Sequence, residues 1–407
     1  MQNSTSICLD DSKQQNLSDL LFSRYDFRFN VLTEMPEFKR KCETAYRMVD
    51  KRAMNSLCIE ALNEDLKCSD RDVSRLLFSE QIPSHHPFGD YMAKLPEWDG
   101  VDRVTIMAAR VSGNGLWLNA FHRWMLGMAA QWLGYPSRCA NAFAPLLIST
   151  EQGMCKSTFC SILLPEELRN YYIDKFDITS TSGCEQKLST FGLINMDEFD
   201  RYSEKKMATL KNLMQMKRLN FRKCFRAYYS TLPRIASFIG TSNEKSLLTD
   251  VSGSRRFLCI EVEKPIDCST PEYEQMYAQL KWELENGKRY WLSKEEEEEI
   301  QQHNKAFYKH SPEEEAFFKV FRLPKEGEEC VQMTATDIFN VLQKRFPAVM
   351  RGSKVRNIGS ILTKMGAKRV HTRYGNYYNV RGVKDVKEGE NTCPSQALTN
   401  NQTLMSA

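Results

Sequence analysis

Two hydrophobic rhythms run along the chain, and the change from one to the other divides it. From Tyr25 to about Leu133, apolar residues recur at three- and four-residue spacing, most clearly over 45–62 and 70–78, which predicts helices. Residues 117–133 predict a long, strongly apolar helix. Between these, His86-Pro87-Phe88-Gly89 through Trp98-Asp99-Gly100 predicts a turn-rich link. From Asn141 the period changes. Residues 143–149 form a short apolar run ending in a polar turn, and 156–164 return to helical spacing: strand, loop, helix. Further apolar runs follow at 191–198, 234–243 and 256–262. Continuous apolar strands alternating with helices predict a mostly parallel sheet covered on both faces, an α/β domain.

Residues 273–303 predict helix, ending in the acidic run Glu295 to Glu299, which reads as a solvated face or linker. In the tail, 334–342 and 358–365 predict two short helices, and 368–380 alternates about Gly375-Asn376 as a β-hairpin does. Helices followed by a hairpin suggest a winged helix. The expected organisation is a flexible Ser/Asn/Gln-rich leader over 1–24, a helical N-terminal domain over 25–135 and an α/β core over 136–265. A helical and acidic linker over 266–310, a small winged-helix-like domain over 311–383 and a disordered tail over 384–407 complete it.

Composition changes this picture little. A length of 407 residues suits two or three domains, and 42% hydrophobic with 11% aromatic residues excludes a disordered chain. Thirteen cysteines without a CxxC pair read as free thiols in a reducing cytoplasm. Neither a signal peptide nor a window of about 18 apolar residues is found, so no membrane partner is expected. The surplus of 56 basic over 52 acidic residues matters through its position. Acidic residues are absent from 211–239, a stretch carrying Lys211, Lys217, Arg218, Arg222, Lys223, Arg226 and Arg234 among Phe221, Phe225, Tyr228 and Tyr229. Here the surplus is concentrated. Cations neutralise phosphates and aromatic rings stack on unpaired bases, which predicts a nucleic-acid contact. A basic surface for an acidic protein partner is the competing reading.

The candidate chemistry lies in the core. Thr150-Glu151-Gln152-Gly153-Met154-Cys155-Lys156-Ser157-Thr158 directly follows the first core strand. A phosphate-binding loop needs converging backbone N–H groups, a Lys for the β- and γ-phosphates and a hydroxyl for Mg²⁺. Gly153, Lys156 and Ser157 stand where that geometry wants them, but Thr150 and Cys155 occupy both glycine positions of GxxxxGK[ST]. An ordinary polar turn is the alternative. Asp197 and Glu198 end an apolar strand about forty residues on, where one carboxylate can hold Mg²⁺ and the next can polarise a water. Asn243, after a later strand, suits the orientation of that water; Arg255 and Arg256 suit a finger offered to a neighbouring subunit's γ-phosphate, or a surface ion pair.

The ordered set resembles the virulence-associated protein E family of bacterial phages and mobile elements, related to superfamily 3 helicases. The likeness rests on Glu151-Gln152-Gly153, Lys156-Ser157-Thr158-Phe159, Asp197-Glu198, Lys211, Pro233-Arg234, Gly240-Thr241-Ser242-Asn243, Leu248-Thr249-Asp250 and Gly253-Ser254-Arg255-Arg256-Phe257. Upstream, His86-Pro87, Tyr91, Leu95-Pro96-Glu97-Trp98-Asp99-Gly100 and Arg123-Trp124 also match. It covers roughly 25–262, and the tail from about Ser311 resembles a small domain that follows this core in Bacteroides-type members. The resemblance implies an AAA+-like P-loop NTPase that uses ATP and Mg²⁺ as a helicase or translocase in DNA replication. It implies a nucleotide loop of Gln152, Gly153, Met154, Cys155, Lys156, Ser157 and Thr158, with Ser157 and Asp197 toward the metal. Asp197 and Glu198 would be the acids, Asn243 the sensor, and Arg255 or Arg256 the finger. Lys217, Arg218, Arg222, Lys223 and Arg226 would face DNA, single-stranded, within a homo-oligomeric ring such as a hexamer. The departures at Thr150 and Cys155 bear on turnover more than on fold, so a relative that binds DNA without efficient hydrolysis stays open. The primase module fused to some relatives is not found, and primer synthesis is not expected.

Overall fold

Leu17 and Leu21 are one helical turn apart, and both are buried. They anchor the first element, α1 (Asp11–Arg24), in the computed structural model. This corrects the expected leader, whose residues 1–10 lie outside the described ones. The described residues are 11–135, 139–178, 181–221, 230–248, 254–325, 327–372 and 375–383. They fall into two units, Met1–Tyr308 and Lys309–Ala407.

After α1 come β1 (Tyr25–Asn30), β2 (Met35–Arg40), β3 (Arg47–Met48), α2 (Lys51–Asn63), α3 (Asp70–Leu77) and β4 (Ser84–His85), with sheet order β3-β2-β1-β4. The expectation of a helical domain over 25–135 is therefore corrected at its start, where a four-stranded sheet stands beside the helices. Tyr25 and Phe27 alternate with the polar Asp26 and Arg28, and Phe27 pairs across from Phe38 to bury one face. Next, α4 (Pro87–Ala93) replaces the expected turn-rich link. His86 caps it, accepting from the Gly89 N–H at 3.0 Å, and Pro87 stands at its first position, where no N–H is missed. Then α5 (Arg103–Ala109) and α6 (Gly115–Trp132) follow, the latter burying Trp117, Trp124 and Trp132.

The core sheet is built from β5 (Ala144–Ile148), α7 (Lys156–Ile162), β6 (Tyr172–Ile173), α8 (Thr181–Thr190), β7 (Leu193–Met196), α9 (Glu204–Leu213), a two-stranded hairpin of β8 (Arg218–Phe221) and β9 (Ser230–Pro233), β10 (Ser237–Ser242) and β11 (Phe257–Glu261). Its order is β11-β5-β10-β7-β6, and every neighbouring pair is parallel. All five carboxyl ends therefore share one edge. Leu147, Leu193 and Ile239 pack on the face under α6, while Leu146, Ile194 and Phe238 pack on the other with Leu188 and Leu210. Gly240 sits at the tightest point: a Cβ there would stand 2.6 Å from Leu146 Cδ2 and 3.2 Å from the Met196 carbonyl.

Beyond the sheet lie α10 (Tyr273–Glu285) and α11 (Lys294–His303). The acidic run opens α11 instead of closing a helix, where acids favour the dipole. Glu295, Glu298 and Glu299 are exposed, as expected of a solvated face, while Glu296 and Glu297 are half-buried and tied down. Glu296 forms a capping box with Ser293 and accepts from Arg289 at 2.8 Å and Arg123 at 3.0 Å.

Arg234 is a further correction. Expected among the nucleic-acid-facing cations, it is buried and donates to the carbonyls of Ala236 (2.9 Å), Leu213 (3.3 Å), Asn141 (2.7 Å) and Met214. Burial pushes its guanidinium down to about 9. It therefore stays charged near neutrality, held by carbonyl dipoles at the end of α9.

The second unit runs α12 (Pro312–Val320), β12 (Phe321–Arg322), β13 (Val331–Thr334), α13 (Ala335–Arg345), α14 (Val355–Lys364), β14 (Arg369–Thr372) and β15 (Gly375–Gly382). Strands β12, β13 and β14 all pair antiparallel with β15. Phe317, Ile338, Leu342, Ile358 and Leu362 form the core. Thr372 pairs with Gly375, so Gly375-Asn376 begin β15 and do not make the turn as expected; positions 373–374, between the strands, lie outside the described residues, as does the tail 384–407. Among the described residues every cysteine is a free thiol, and no helix is long and apolar enough to cross a membrane.

Candidate functional site

Because the strands are parallel, the segments leaving β5, β7 and β10 all emerge at one edge, and β10 lies between the other two. The loop after β5 turns at Gly153, with φ +77°, and again at Cys155, with φ +58° and ψ +24°. Two left-handed residues fold the loop back on itself and deliver Lys156 as the first residue of α7. The Met154 side chain is buried and its carbonyl accepts from the Ile266 N–H at 3.3 Å, which pins the loop's far wall. Met154 thus contributes backbone alone to any ligand, while Gln152, Gly153, Cys155, Ser157 and Thr158 are exposed. The first N–H groups of α7 have no intrahelical acceptors and point with the helix dipole toward the loop, an arrangement that attracts anions.

Lys156 is 8% exposed. Its ammonium donates to the Ser149 carbonyl and to Asn243 Oδ1, both at 3.0 Å. Both acceptors are neutral, so burial pulls the ammonium below the ordinary lysine value, against the opposite pull of Asp197 and Asp200. A cation held in this way gains from an arriving anion. On the other side of the loop, Ser157 Oγ donates to Asp197 Oδ1 at 3.2 Å, and the Thr241 hydroxyl donates to the same oxygen. Oxygens binding one Mg²⁺ side by side at about 2.1 Å stand about 3 Å apart. The Ser157–Asp197 pair fits that spacing.

Lys156, Ser157, Asp197 and Asn243 are therefore brought together. Glu198 is turned aside in a left-handed conformation, φ +51°, and pairs with Arg201 at 2.6 Å. It lines a cavity of about 280 Å³ with Asp174, Asp197, Tyr202 and Lys206. Arg255 and Arg256 stand ahead of β11, at the opposite sheet edge. They line a cavity of about 300 Å³ with Lys217, Tyr290 and Trp291, and Arg255 donates to Glu297 at 3.1 Å. Within one chain they do not join the loop.

Of the expected nucleic-acid contacts, Lys217 and Arg218 are exposed at the base of the β8–β9 hairpin. Arg222, Lys223 and Arg226 lie outside the described residues, as do Thr249, Asp250 and Gly253. Sequence reasoning missed Thr241, Asp200 and the Ser149 carbonyl as members of the site. Asp200 accepts from the Ser242 hydroxyl at 2.8 Å, and a third acid so soon after Asp197 was the available signal.

Comparisons with known proteins place these features. The family model described as the virulence-associated protein E-like domain matches residues 92–309, more than half of the chain. A second model, a domain of unknown function from B. Theta, matches residues 310–380. No curated protein matches. Among solved structures, the apo structure of NrS-1 C terminal region (305-718) is 12% identical with a TM-score of 0.47, covering 91% of this chain and 99% of that one. The A form apo structure of NrS-1 C terminal region-CTR is 12% identical with a TM-score of 0.43, covering 90% and 98%.

Proposed function

The chain belongs to the virulence-associated protein E-like family, and from that premise we propose that it is a P-loop NTPase of helicase type, acting in the DNA replication of a phage or mobile element. The observation that carries this is the meeting of Lys156, Ser157, Asp197 and Asn243 at one sheet edge. In the proposed chemistry, the loop amides and Lys156 hold the β- and γ-phosphates of ATP, and Ser157 and Asp197 hold Mg²⁺, which neutralises charge developing on the phosphates. Asn243, already bonded to Lys156, sits between loop and acids and orients the attacking water. Glu198 polarises that water once its tie to Arg201 is released. At the β8–β9 hairpin, Lys217 and Arg218 offer cations to the phosphates of single-stranded DNA. Arg255 and Arg256 act on the nucleotide of a neighbouring copy in a ring. ATP turnover by the purified chain, with and without single-stranded DNA, tests the proposal. Stimulation by DNA supports it, and absence of turnover in both conditions rejects a working motor.

One observation favours a second reading, a nucleotide-binding relative with slow hydrolysis. Cys155 holds φ +58°, a conformation that costs a residue with a side chain about 1–2 kcal/mol and glycine almost nothing. Cys155→Gly is expected to raise stability by roughly 0.5–1 kcal/mol, after the greater chain entropy of glycine is deducted. A thermal melt reads this directly, and a lowered midpoint would show that the loop is not strained there. If turnover also rises, the loop is merely weakened. If it stays absent, the second reading holds.

A further inference from the structure

The second unit carries a charge distribution that the nucleotide site does not use. Between residues 338 and 383 the chain has ten Lys or Arg and no Asp or Glu. The stretch 211–239 is therefore not alone in concentrating the positive surplus, and that earlier expectation is corrected.

Folding sorts these charges. α14 buries Ile358 and Leu362, which turns Arg356, Ser360 and Thr363 to the opposite face, and all three are exposed together with Asn357. Arg351 and Lys354, also exposed, lie on the approach to the helix, and Arg369 follows on β14. Among the described residues, Arg351, Lys354 and Arg356 make no ion pair. Among the described residues the acids of the unit all precede residue 338, and several of them are engaged. Glu314 is 3% exposed and accepts from Lys364 at 2.8 Å, and Glu313 accepts from Ser353 at 2.6 Å. Glu328 accepts from Arg322 at 2.6 Å, and Asp337 caps α13 through Thr334.

We propose that this face binds double-stranded DNA, with α14 in the major groove. The chain order of helix, two short strands, helix, helix and a pair of antiparallel strands supports the winged-helix reading of the unit. An α-helix with its side chains is about as wide as the major groove of B-form DNA. Sites for single strands combine cations with exposed aromatic rings; the outer face of α14 carries none. It offers instead Arg356, Asn357 and Ser360, groups that hydrogen-bond to base edges, with Arg351, Lys354 and Arg369 placed for phosphates. A-form RNA closes its major groove to a helix, so duplex RNA is excluded as the preferred ligand. This site shares no residue with the nucleotide chemistry and does not depend on it.

The test uses the full chain and a labelled duplex of about twenty base pairs, beside the matching single strand and duplex RNA, across a salt series. The variant combines Arg351→Glu, Lys354→Glu and Arg356→Glu, all at exposed positions, and its melting curve verifies that it folds. Wild type is expected to prefer duplex DNA, and the variant to lose at least about tenfold in duplex affinity with a salt slope lower by about three. Single-strand binding and ATP turnover should not change in that variant. Equal duplex affinity in variant and wild type, preference for duplex RNA, or duplex binding indifferent to salt would each overturn the proposal. Lys156→Ala should retain duplex binding, so a failure of the motor reading and a failure of this one are told apart.

Discussion

Replacing Lys156 by alanine is expected to lower ATP turnover by about three orders of magnitude, on the order of 4 kcal/mol of transition-state stabilisation. In the ligand-free protein the ammonium has only the Ser149 carbonyl and Asn243 Oδ1 as partners. It is desolvated without a carboxylate in ion-pair contact, and removing it relieves about as much as it costs. The melting transition should therefore barely move while catalysis collapses. Such a split identifies a ligand-facing charge; a structural lysine would shift both together. Steady-state hydrolysis beside a thermal melt makes the measurement. Equal turnover in variant and wild type would remove Lys156 from the chemistry and, with it, the proposed nucleotide site.

The largest expected effect on stability lies at Arg234. Its guanidinium joins the end of α9, the start of β10 and the segment before β5 through carbonyls on each. Arg234→Ala leaves buried carbonyls unpaired and opens a cavity, for a cost of about 3–5 kcal/mol. That is a large fraction of the 5–15 kcal/mol that typically holds a domain together. Soluble yield should fall steeply and the cooperative melt should weaken or vanish. Arg234→Lys should recover little, because one ammonium on a single stem cannot reach acceptors on three segments. A lysine variant as stable as wild type would show that charge alone suffices and that the fork is incidental.

The core of the fold was legible because buried parallel strands leave unbroken apolar runs. Residues 143–149 became β5, and the apolar run ending at Asp197 became β7. Where the sheet is only half buried the signal is alternation, and Tyr25 to Phe29 carried it within a region otherwise paced like a helix. Side-chain destination is harder to read. Arg234 has the composition of a DNA contact and the position of a structural rivet, and only the packing of three distant segments separates the two. The acidic run from Glu295 is a solvated face at three of its five acids, but Glu296 and Glu297 meet Arg123, Arg289 and Arg255 from elsewhere in the chain. The site itself was half visible. Loop, acids and Asn243 follow from strand ends, whereas the sidelong turn of Glu198 depends on a backbone angle that no residue type announces.

The arginine pair and the loop that ends at Lys156 sit at opposite ends of parallel strands, with β5 alone some 16 Å long at about 3.3 Å per residue. No rotamer change spans that interval. Under the proposed chemistry each molecule holds two unmatched halves of a reaction centre, and head-to-tail stacking lets each half meet its complement. Rate per molecule should then climb with protein concentration and fade on dilution, even though no covalent or folded feature of the individual chain has altered.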